Sequence, residues 1–309
     1  MTSLKGKDIL HGNQFTKKDI DGILKVAAGF EKDLKGKDAL NLLKGKILAT
    51  LFFEPSTRTR LSFEAAMHRL GGSVISMASA ESSSAAKGET VADTAMTVAQ
   101  YADAIVIRHP RIGSAREAAD AAHIPVINAG DGTGQHPTQA LLDVYTISKE
   151  WGSLKNLKMS LVGDLKNGRT VHALVEILSL YGARLYFVSP SLLRMPPEIT
   201  DHLKSKGVEI VETEDLADAA SKTDLVYMTR IQKERFSDLA EYERVKGSYI
   251  VDGKFLTALK KDLTILHPLP RVDEIHTEVD SYAGAAYFRQ VRNGVYIRMA
   301  LLAMIFGKR

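Results

Sequence analysis

Residues 47–60 read Ile47-Leu48-Ala49-Thr50-Leu51-Phe52-Phe53-Glu54-Pro55-Ser56-Thr57-Arg58-Thr59-Arg60. The apolar half predicts a β-strand at Ile47–Phe53, because a short continuous apolar run is typical of a strand that is covered on both faces. The polar half predicts a turn, and the pattern from Leu61 to Met67 predicts a helix at about residues 58–70. Strand, turn and helix in this order are typical of a parallel α/β sheet.

The same alternation continues along the chain in both directions. Thr16 and Asp19 have the spacing of a capping box and predict a helix over residues 16–35. Gly130–Gly134 predicts a loop, and a helix is predicted from Pro137 to Trp151. The further predicted strands are Val74–Met77, Ala104–Ile107, Val126–Asn128, Met159–Val162, Leu185–Val188, Val208–Val211, Leu225–Met228 and Ile265–Leu266.

Two successive βαβ sets predict an α/β fold with two doubly wound domains, each a parallel sheet flanked by helices. We expect the first domain at residues 1–134 and the second at residues 135–288. The last predicted helix, at 289–306, carries too many apolar residues to stay uncovered. The segment 289–309 is therefore expected to return and pack on the first domain.

The composition is that of a globular protein. The chain has 309 residues, 45% of them hydrophobic and 25% charged, which excludes a mainly disordered, collagen-like or coiled-coil protein. The net charge of +4 is not gathered into a tail and gives little support to nucleic-acid binding. The absence of cysteine excludes disulfides and thiolate metal sites within this chain. With no signal sequence and no apolar run of about 20 residues, we expect a soluble, cytoplasmic protein that does not enter a membrane.

The turn that follows the first strand predicts an anion site. Ser56, Thr57 and Thr59 offer hydroxyl groups, and Arg58 offers a planar guanidinium at the point where helix N–H groups are free. The alternative is that Ser56 only caps the helix and that the arginines are solvated. Two arginines that alternate with three hydroxyls directly after a buried strand favour phosphate or carboxylate binding.

Four motifs, in this order, resemble the aspartate/ornithine carbamoyltransferase family. They are Phe53–Arg60, Ile107-Arg108-His109-Pro110, His136–Asp143 and His267-Pro268-Leu269-Pro270-Arg271. The resemblance extends from about residue 46 to residue 306. It implies that an amine attacks carbamoyl phosphate and that phosphate leaves, with carbamoyl phosphate on the first domain and the amino acid on the second. This reaction needs oxyanion stabilisation and neutralisation of the leaving phosphate, but no cofactor and no metal.

The resemblance assigns roles to individual residues. Ser56, Thr57, Arg58 and Thr59 would hold the phosphate, Arg108, His136 and Thr59 the carbonyl oxygen, and Gln139 the carbamoyl amino group. The backbone carbonyls of Leu269 and Pro270 would accept hydrogen bonds from the substrates' amino groups. The residues expected to be catalytic are Arg58, Thr59, Lys87, Arg108 and His136. Because a helix start disfavours a protonated imidazole, we expect His136 to donate a hydrogen bond as a neutral ring.

The second domain resembles the aspartate branch of the family. By resemblance Arg169 would hold the α-carboxylate of aspartate, and Arg230 with Gln232 its side-chain carboxylate, beside the carbonyl of Leu269. The ornithine branch typically carries a cysteine where Pro268 stands. Two alternatives stay open. One is another carbamoyltransferase, such as one for ornithine, and the other is a catalytically silent scaffold homologue. Asn167 stands where the family frequently has tyrosine, which puts the packing of its loop in question.

A loop at residues 78–89 is expected to reach a neighbouring chain. It is rich in serine and alanine and cannot pack a core, so that Lys87, taken alone, is an exposed lysine. The resemblance implies that Ser83 and Lys87 complete the neighbour's site in a homotrimer. Together, carbamoyl phosphate and aspartate with a neutral amine carry a charge of about −4. Lys87 would join the arginines in offsetting this charge. Whether separate regulatory chains associate stays open.

Overall fold

The computed structural model describes residues 3–79, 84–259 and 262–309. The chain forms two compact units, one made of Met1–Leu142 with Arg292–Arg309 and the other of Asp143–Val291. Each unit is built around its own parallel sheet. The α/β fold class predicted from the sequence is confirmed.

The first unit contains four parallel strands in the order β2-β1-β3-β4. The strands are β1 (Ile47–Phe52), β2 (Ser73–Met77), β3 (Ala104–His109) and β4 (Val126–Asp131). The helices are α1 (Lys17–Asp33), α2 (Thr57–Arg69), α3 (Val91–Val98), α4 (Ser114–Ala121) and the beginning of α5 (Pro137–Trp151). Every residue of β1 except Ile47 is buried, as expected for a central strand.

The capping box at the start of α1 forms as the sequence predicts. The Thr16 side chain accepts a hydrogen bond from the Asp19 N–H at 3.2 Å, and the Asp19 carboxylate accepts one from the Thr16 N–H at 3.2 Å. The helix buries Ile20, Ile23 and Phe30 on one face. Local capping and helical periodicity therefore agree on the same boundary.

The predicted loop at Gly130–Gly134 begins too early. Gly130 and Asp131 still belong to β4, where Asp131 pairs with His109 across a register irregularity of β3. The Asn128 side chain supports this extension by accepting a hydrogen bond from the Gly130 N–H at 2.8 Å. Glycine signals a turn in the sequence, but pairing with the neighbouring strand prevails here.

The second unit contains five parallel strands in the order β7-β6-β5-β8-β9. They are β5 (Lys158–Val162), β6 (Arg184–Val188), β7 (Glu209–Thr213), β8 (Leu225–Met228) and β9 (Thr264–Leu266). The helices are α6 (Arg169–Ser179), α7 (Pro197–Ser205), α8 (Leu216–Lys222), α9 (Leu239–Val245), α10 (Gly253–Leu259) and the first residues of α11 (Tyr287–Ile305). On one face of the sheet, Val162, Val226 and Ile265 share a buried cluster with Ala219 and Tyr249.

The last helix returns to the first unit, as predicted. Its residues from Arg292 onward belong to that unit, and Ile297 and Met299–Ile305 are buried. The Arg298 guanidinium lies 5.0 Å from the centre of the Phe63 ring, and the Gly6 N–H donates to the Ile305 carbonyl at 2.9 Å. No helix within the described ranges has both the length and the hydropathy that crossing a bilayer requires.

Each sheet has one point where the strand order reverses. In the first unit this point lies between β1 and β3, and in the second it lies between β5 and β8. Crevices at the carboxyl ends of such strands are the usual ligand sites of doubly wound sheets. Ser56 and Arg108 lie at this edge of the first sheet, and Arg169 and Arg230 follow the corresponding strands of the second.

Gly163 allows β5 and β8 to end side by side. It has φ +110°, and a Cβ added there would lie 2.3 Å from the Thr229 carbonyl oxygen. The Thr229 N–H donates to the Val162 carbonyl at 2.8 Å, so the two strand ends are in direct contact. Only glycine fits both the conformation and the space.

We predict that Gly163→Ala destabilises the protein more than Gly152→Ala. Gly152 also has a positive φ, of 82°, but a Cβ there meets nothing within 4 Å. The control should cost about 1–2 kcal/mol from backbone strain alone, whereas Gly163→Ala adds a backbone clash. Thermal unfolding midpoints measure the difference, and equal midpoints would contradict the close approach.

Candidate functional site

The turn after β1 leaves the start of α2 without its usual cap. Ser56 occupies the N-cap position in extended backbone, but its side chain makes no capping hydrogen bond. Thr57 and Arg58 are exposed, while Arg60 pairs with Glu64 along the helix at 3.9 Å. The Ser56 side chain therefore does not cap the helix, and the binding of an anion by its hydroxyl and the first N–H groups of α2 stays a prediction.

Arg58 contributes a positive charge to this turn. Partial burial lowers the pKa of Arg58, although the group stays protonated. Within the described part of the chain, its guanidinium takes part in no ion pair. An anion at this position would restore the solvation that the side chain loses to its surroundings.

Arg108, Thr59 and His136 line the same edge of the first unit. Arg108, at the end of β3, forms an ion pair with Glu54 at 3.1 Å and donates to the Ala129 carbonyl at 3.4 Å. Thr59 and His136 are both buried, and the Thr59 hydroxyl lies 3.5 Å from His136 Nε2. The first unit thus brings together a guanidinium, a hydroxyl and an imidazole, the donors that an oxyanion needs.

His136 stands at the start of α5, as predicted. Its carbonyl accepts hydrogen bonds from the Gln139 N–H at 3.0 Å and the Ala140 N–H at 3.3 Å, which close the first turn. Gln139 is half-buried in that same turn. The helix start therefore fixes both side chains on one rigid element.

In the second unit, the loop after β5 is organised around a buried carboxylate. Asp164 is fully buried and accepts hydrogen bonds from the Asn167 N–H at 2.9 Å and the Asn167 side chain at 3.2 Å. Burial raises the pKa of Asp164 in spite of these bonds. Asn167 packs this loop through hydrogen bonds, so the absence of tyrosine leaves the turn before Arg169 ordered.

Arg230, in the loop after β8, is held by a carboxylate of its own loop. Its two terminal nitrogens bind the two oxygens of Glu234, one of them at 3.1 Å. This hydrogen bonding raises the pKa of Arg230 and lowers the pKa of Glu234. The nearby backbone of Gln232 opposes the rise in the pKa of Asp164, so this loop lies next to the loop after β5. The second unit therefore presents a guanidinium of fixed orientation at its switch point.

The segment after β9 has an unusual backbone. Leu269 has φ +54° and precedes a cis peptide bond to Pro270. A leucine in this conformation costs about 1–3 kcal/mol and persists only where its surroundings impose it. The Leu269 N–H donates to His267 Nδ1 at 2.7 Å, which ties the strained residue to a buried side chain.

Lys87 ends a short 3₁₀ helix at Ser84–Lys87 and is exposed. Ser83 lies outside the described residues. The structure therefore shows that Lys87 is accessible to another molecule. The predicted contacts of Lys87 and Ser83 with a neighbouring chain stay predictions.

Carboxylates that bind the motif residues were missed by the reasoning from sequence. Glu54, Glu234 and Glu274 are charged residues of ordinary appearance, and only their places beside motif residues could have marked them. His109 and His172 were not assigned to the site. His109 Nδ1 accepts from the Arg111 N–H at 3.0 Å, which indicates a structural role.

A metal site finds little support. Within residues 3–79, 84–259 and 262–309, one group of possible ligands, Asp252, His276 and Glu278, has its ligand atoms within 4.8 Å of one another. Asp252 accepts from the Phe255 N–H at 2.7 Å and Glu278 from the Gly253 N–H at 2.8 Å. Capping of α10 accounts for both carboxylates, because the positive end of a helix attracts anionic groups.

Comparison with known proteins decides the family. Residues 7–149 match the family model described as aspartate/ornithine carbamoyltransferase, carbamoyl-P binding domain. Residues 155–305 match the one described as aspartate/ornithine carbamoyltransferase, Asp/Orn binding domain. The chain belongs to the aspartate/ornithine carbamoyltransferase family. The resemblance inferred from the four motifs is thereby confirmed.

Named members of this carbamoyltransferase family cover nearly the whole chain. The aspartate carbamoyltransferase catalytic subunit of Thermococcus kodakarensis is 58% identical over 98% of both chains. The catalytic subunit of M. jannaschii aspartate transcarbamoylase superposes with a TM-score of 0.91 at 51% identity over 97% of both chains. The Trypanosoma cruzi enzyme in complex with N-(phosphonacetyl)-L-aspartic acid superposes with a TM-score of 0.93 at 43% identity, over 98% of this chain and 97% of that one.

We predict that His172 makes the protein sensitive to mild acid. Burial lowers the pKa of His172, whose Nε2 lies 2.7 Å from the Leu165 carbonyl oxygen. The folded state therefore keeps the ring neutral, while the unfolded chain binds a proton near the ordinary pKa of 6.5. Stability should fall as the pH drops through this value, because the unfolded state then binds more protons.

The test compares His172→Gln with the wild type. The glutamine amide can still donate to Leu165 but does not titrate, so the unfolding midpoint should fall less between about pH 7.5 and pH 5.5. His123→Gln, at an exposed position, controls for the loss of a histidine. If the unfolding midpoint of His172→Gln fell with pH as steeply as that of the wild type, the assignment of the acid sensitivity to His172 would be contradicted.

Proposed function

We propose that this chain is the catalytic chain of an aspartate carbamoyltransferase. It transfers the carbamoyl group of carbamoyl phosphate to the amino group of L-aspartate, giving N-carbamoyl-L-aspartate and phosphate in de novo pyrimidine biosynthesis. The names of its close relatives support aspartate over ornithine as the acceptor. The complexes of the Trypanosoma cruzi structures, one with carbamoyl aspartate and phosphate, support the same substrates and products.

The observation that carries the proposal is the position of Arg230. It follows β8 at the switch point of the second sheet, and Glu234 fixes the orientation of its guanidinium. A guanidinium matches the carboxylate at the end of the aspartate side chain, whereas the ammonium group of ornithine would be repelled. The guanidinium of Arg230 therefore favours aspartate over ornithine as the acceptor.

Carbamoyl phosphate is assigned to the first unit. Ser56, Thr57, Arg58 and Thr59 would bind its phosphate, with the uncapped N–H groups of α2 adding fixed dipoles. Arg58 would take up the charge that develops as phosphate leaves. Because the guanidinium has no internal partner among the described residues, no ion pair must break before it acts.

The carbonyl oxygen of the carbamoyl group is assigned to Arg108, Thr59 and His136. These groups donate hydrogen bonds from fixed positions, so they stabilise the oxyanion of the tetrahedral intermediate with little reorganisation. The close approach of Thr59 and His136, at 3.5 Å, supports a shared ligand atom. Gln139 would hold the carbamoyl amino group through its side-chain oxygen.

Aspartate is assigned to the second unit. Arg169 would bind the α-carboxylate, and Arg230 with Gln232 the side-chain carboxylate. The backbone carbonyls of Leu269 and Pro270 would accept hydrogen bonds from the substrates' amino groups and so direct the attacking lone pair. Nearby guanidinium groups also favour the neutral form of the aspartate amine, which is the nucleophilic form.

The assembly is also part of the proposal. Ser83 and Lys87 of a neighbouring copy would contact the substrates, which makes the active form a homotrimer with shared sites. The exposure of Lys87 and the lack of an ion pair for it in the described part of the chain are compatible with this role. Cytoplasmic location is proposed from the cysteine-free composition, and association with regulatory chains is left open.

We predict that the protein releases phosphate from carbamoyl phosphate with aspartate and not with ornithine. Arg230→Ala should raise the KM for aspartate about tenfold or more, because a charge-assisted bond to the substrate is lost. Arg235→Ala removes an exposed arginine of the same loop and serves as the matched control. Phosphate release with neither amino acid would favour the silent-homologue alternative, and a preference for ornithine would overturn the assignment of Arg230.

We predict that inactive chains complement one another. Arg58→Ala and Lys87→Ala should each lose most activity while remaining folded, since each removes a cation from every site. In randomly mixed trimers, a site has an intact Arg58 and an intact neighbouring Lys87 with a probability of about one quarter, so about that share of activity should return.

The control mixes Arg58→Ala with Arg108→Ala. Both residues are assigned to the same chain's half of the site, so mixing these variants cannot produce an intact site. Activity in the control mixture, or no recovery in the first mixture after verified subunit exchange, would argue against sites shared through Lys87.

A further inference from the structure

The His267 side chain is locked between two partners inside the second unit. The ring is 1% exposed. Its Nδ1 accepts a hydrogen bond from the Leu269 N–H at 2.7 Å, and its Nε2 lies 2.7 Å from Glu274 Oε1. Because a backbone N–H can only donate, Nδ1 carries no hydrogen and Nε2 must be the donor to Glu274. The two contacts together fix the tautomer and the orientation of the ring.

Glu274 connects the His267 ring to the backbone at Val272 and Asp273. Its second oxygen accepts hydrogen bonds from the N–H groups of Val272 at 3.1 Å and Asp273 at 3.2 Å. Burial alone would raise the pKa of Glu274, but the hydrogen bonds from His267 and from the backbone lower this pKa below its ordinary value. The carboxylate is thus a stable acceptor that holds the turn after Pro270.

A second set of buried polar groups holds the backbone of His267. The His267 N–H donates to Gln290 Oε1 at 3.0 Å, and Gln290 Nε2 donates to Asp143 Oδ1 at 2.6 Å. Tyr227 donates its hydroxyl to the other oxygen of Asp143 at 2.7 Å. Gln290, Asp143 and Tyr227 are each at most 1% exposed. These hydrogen bonds therefore fix the backbone position from which the imidazole side chain extends.

The only segment between these anchors is Pro268–Arg271, and it contains the strained residue. Leu269 has φ +54°, while its side chain is only half-buried and that of Pro270 is exposed. Arg271 anchors the end of this segment, since its guanidinium binds Asp280 at 2.7 Å and the Tyr287 hydroxyl at 3.0 Å. At Leu269 itself, the direct restraint on the backbone is the bond from its N–H to His267. If that bond is lost, the leucine is free to relax to a negative φ, which turns its peptide groups away.

We propose that His267 is a positioning residue, which through Nδ1 sets the direction of the Leu269 and Pro270 carbonyls toward the amino groups of the substrates. This inference rests on the proposed function, since that function assigns the two carbonyls as acceptors. In this proposal His267 acts through the backbone of Leu269 and not by contact with a substrate. Its contribution is to hold a strained backbone in the one conformation that aims both acceptors.

Two substitutions separate the two nitrogens of the ring. In His267→Asn, the amide oxygen can occupy the place of Nδ1 and accept from Leu269, while the bond to Glu274 is lost. In His267→Gln, the amide nitrogen can occupy the place of Nε2 and donate to Glu274, while the bond to Leu269 is lost. Each variant thus loses one buried hydrogen bond, and both should lower the unfolding midpoint.

The readouts are kcat, the KM for aspartate and the affinity for inorganic phosphate. We expect kcat to stay within about threefold of the wild type in His267→Asn and to fall about tenfold or more in His267→Gln. Phosphate affinity should be unchanged in both, because its proposed ligands lie in the first unit. Ser160→Ala, which removes a buried bond to Thr223 of 2.9 Å elsewhere in this unit, should lower stability without changing kcat.

Equal kcat values for the two His267 variants, or a lower value for His267→Asn, would overturn the inference while the proposed function stands. Failure of the wild type to carbamoylate aspartate would overturn the proposed function instead. If His267→Gln does not fold, Glu274→Gln takes its place, because it leaves an acceptor for Nε2 but weakens the turn after Pro270. Its kcat should fall severalfold at unchanged phosphate affinity, and a wild-type kcat would count against the inference.

Discussion

Parallel pairing of β1 with β3 and of β5 with β8 is the constraint on which the rest of the structure depends. In a parallel pair both strands end at the same edge, so strand pairing brings residues together that are far apart in sequence. In the first unit this brings the turn at Ser56 beside Arg108. In the second unit it brings the loop that ends at Arg169 beside the loop that carries Arg230.

Anionic side chains refine what the strands provide. Glu54 pairs with Arg108, Glu234 with Arg230, and Asp164 organises the turn before Arg169. A guanidinium on a flexible stem would lose considerable entropy when it binds a ligand, and a carboxylate that fixes it beforehand reduces this loss. Arg58 is the exception, since no carboxylate pairs with it in the described part of the chain.

Much of this could be predicted from the sequence, for identifiable reasons. The strands were predictable because buried parallel strands read as short apolar runs, and the start of α1 because Thr16 and Asp19 form a local capping box. The motif at Phe53–Arg60 revealed the family. Gly130 and Asp131 were placed in a loop because strand pairing with β3 leaves no local signal. The bond between His267 and Leu269 was equally hidden, since it depends on a backbone conformation that no residue type announces.

The bare start of α2 has a consequence for folding as well as for binding. Since the Ser56 side chain does not cap this helix, a phosphoryl group bound there, as the proposed function has it, would act as its N-terminal cap. Secondary structure and ligand occupancy are then thermodynamically linked, and the first turn should grow firmer as phosphate becomes more abundant. Under the proposed function, the substrate would complete the first turn of the helix that binds it.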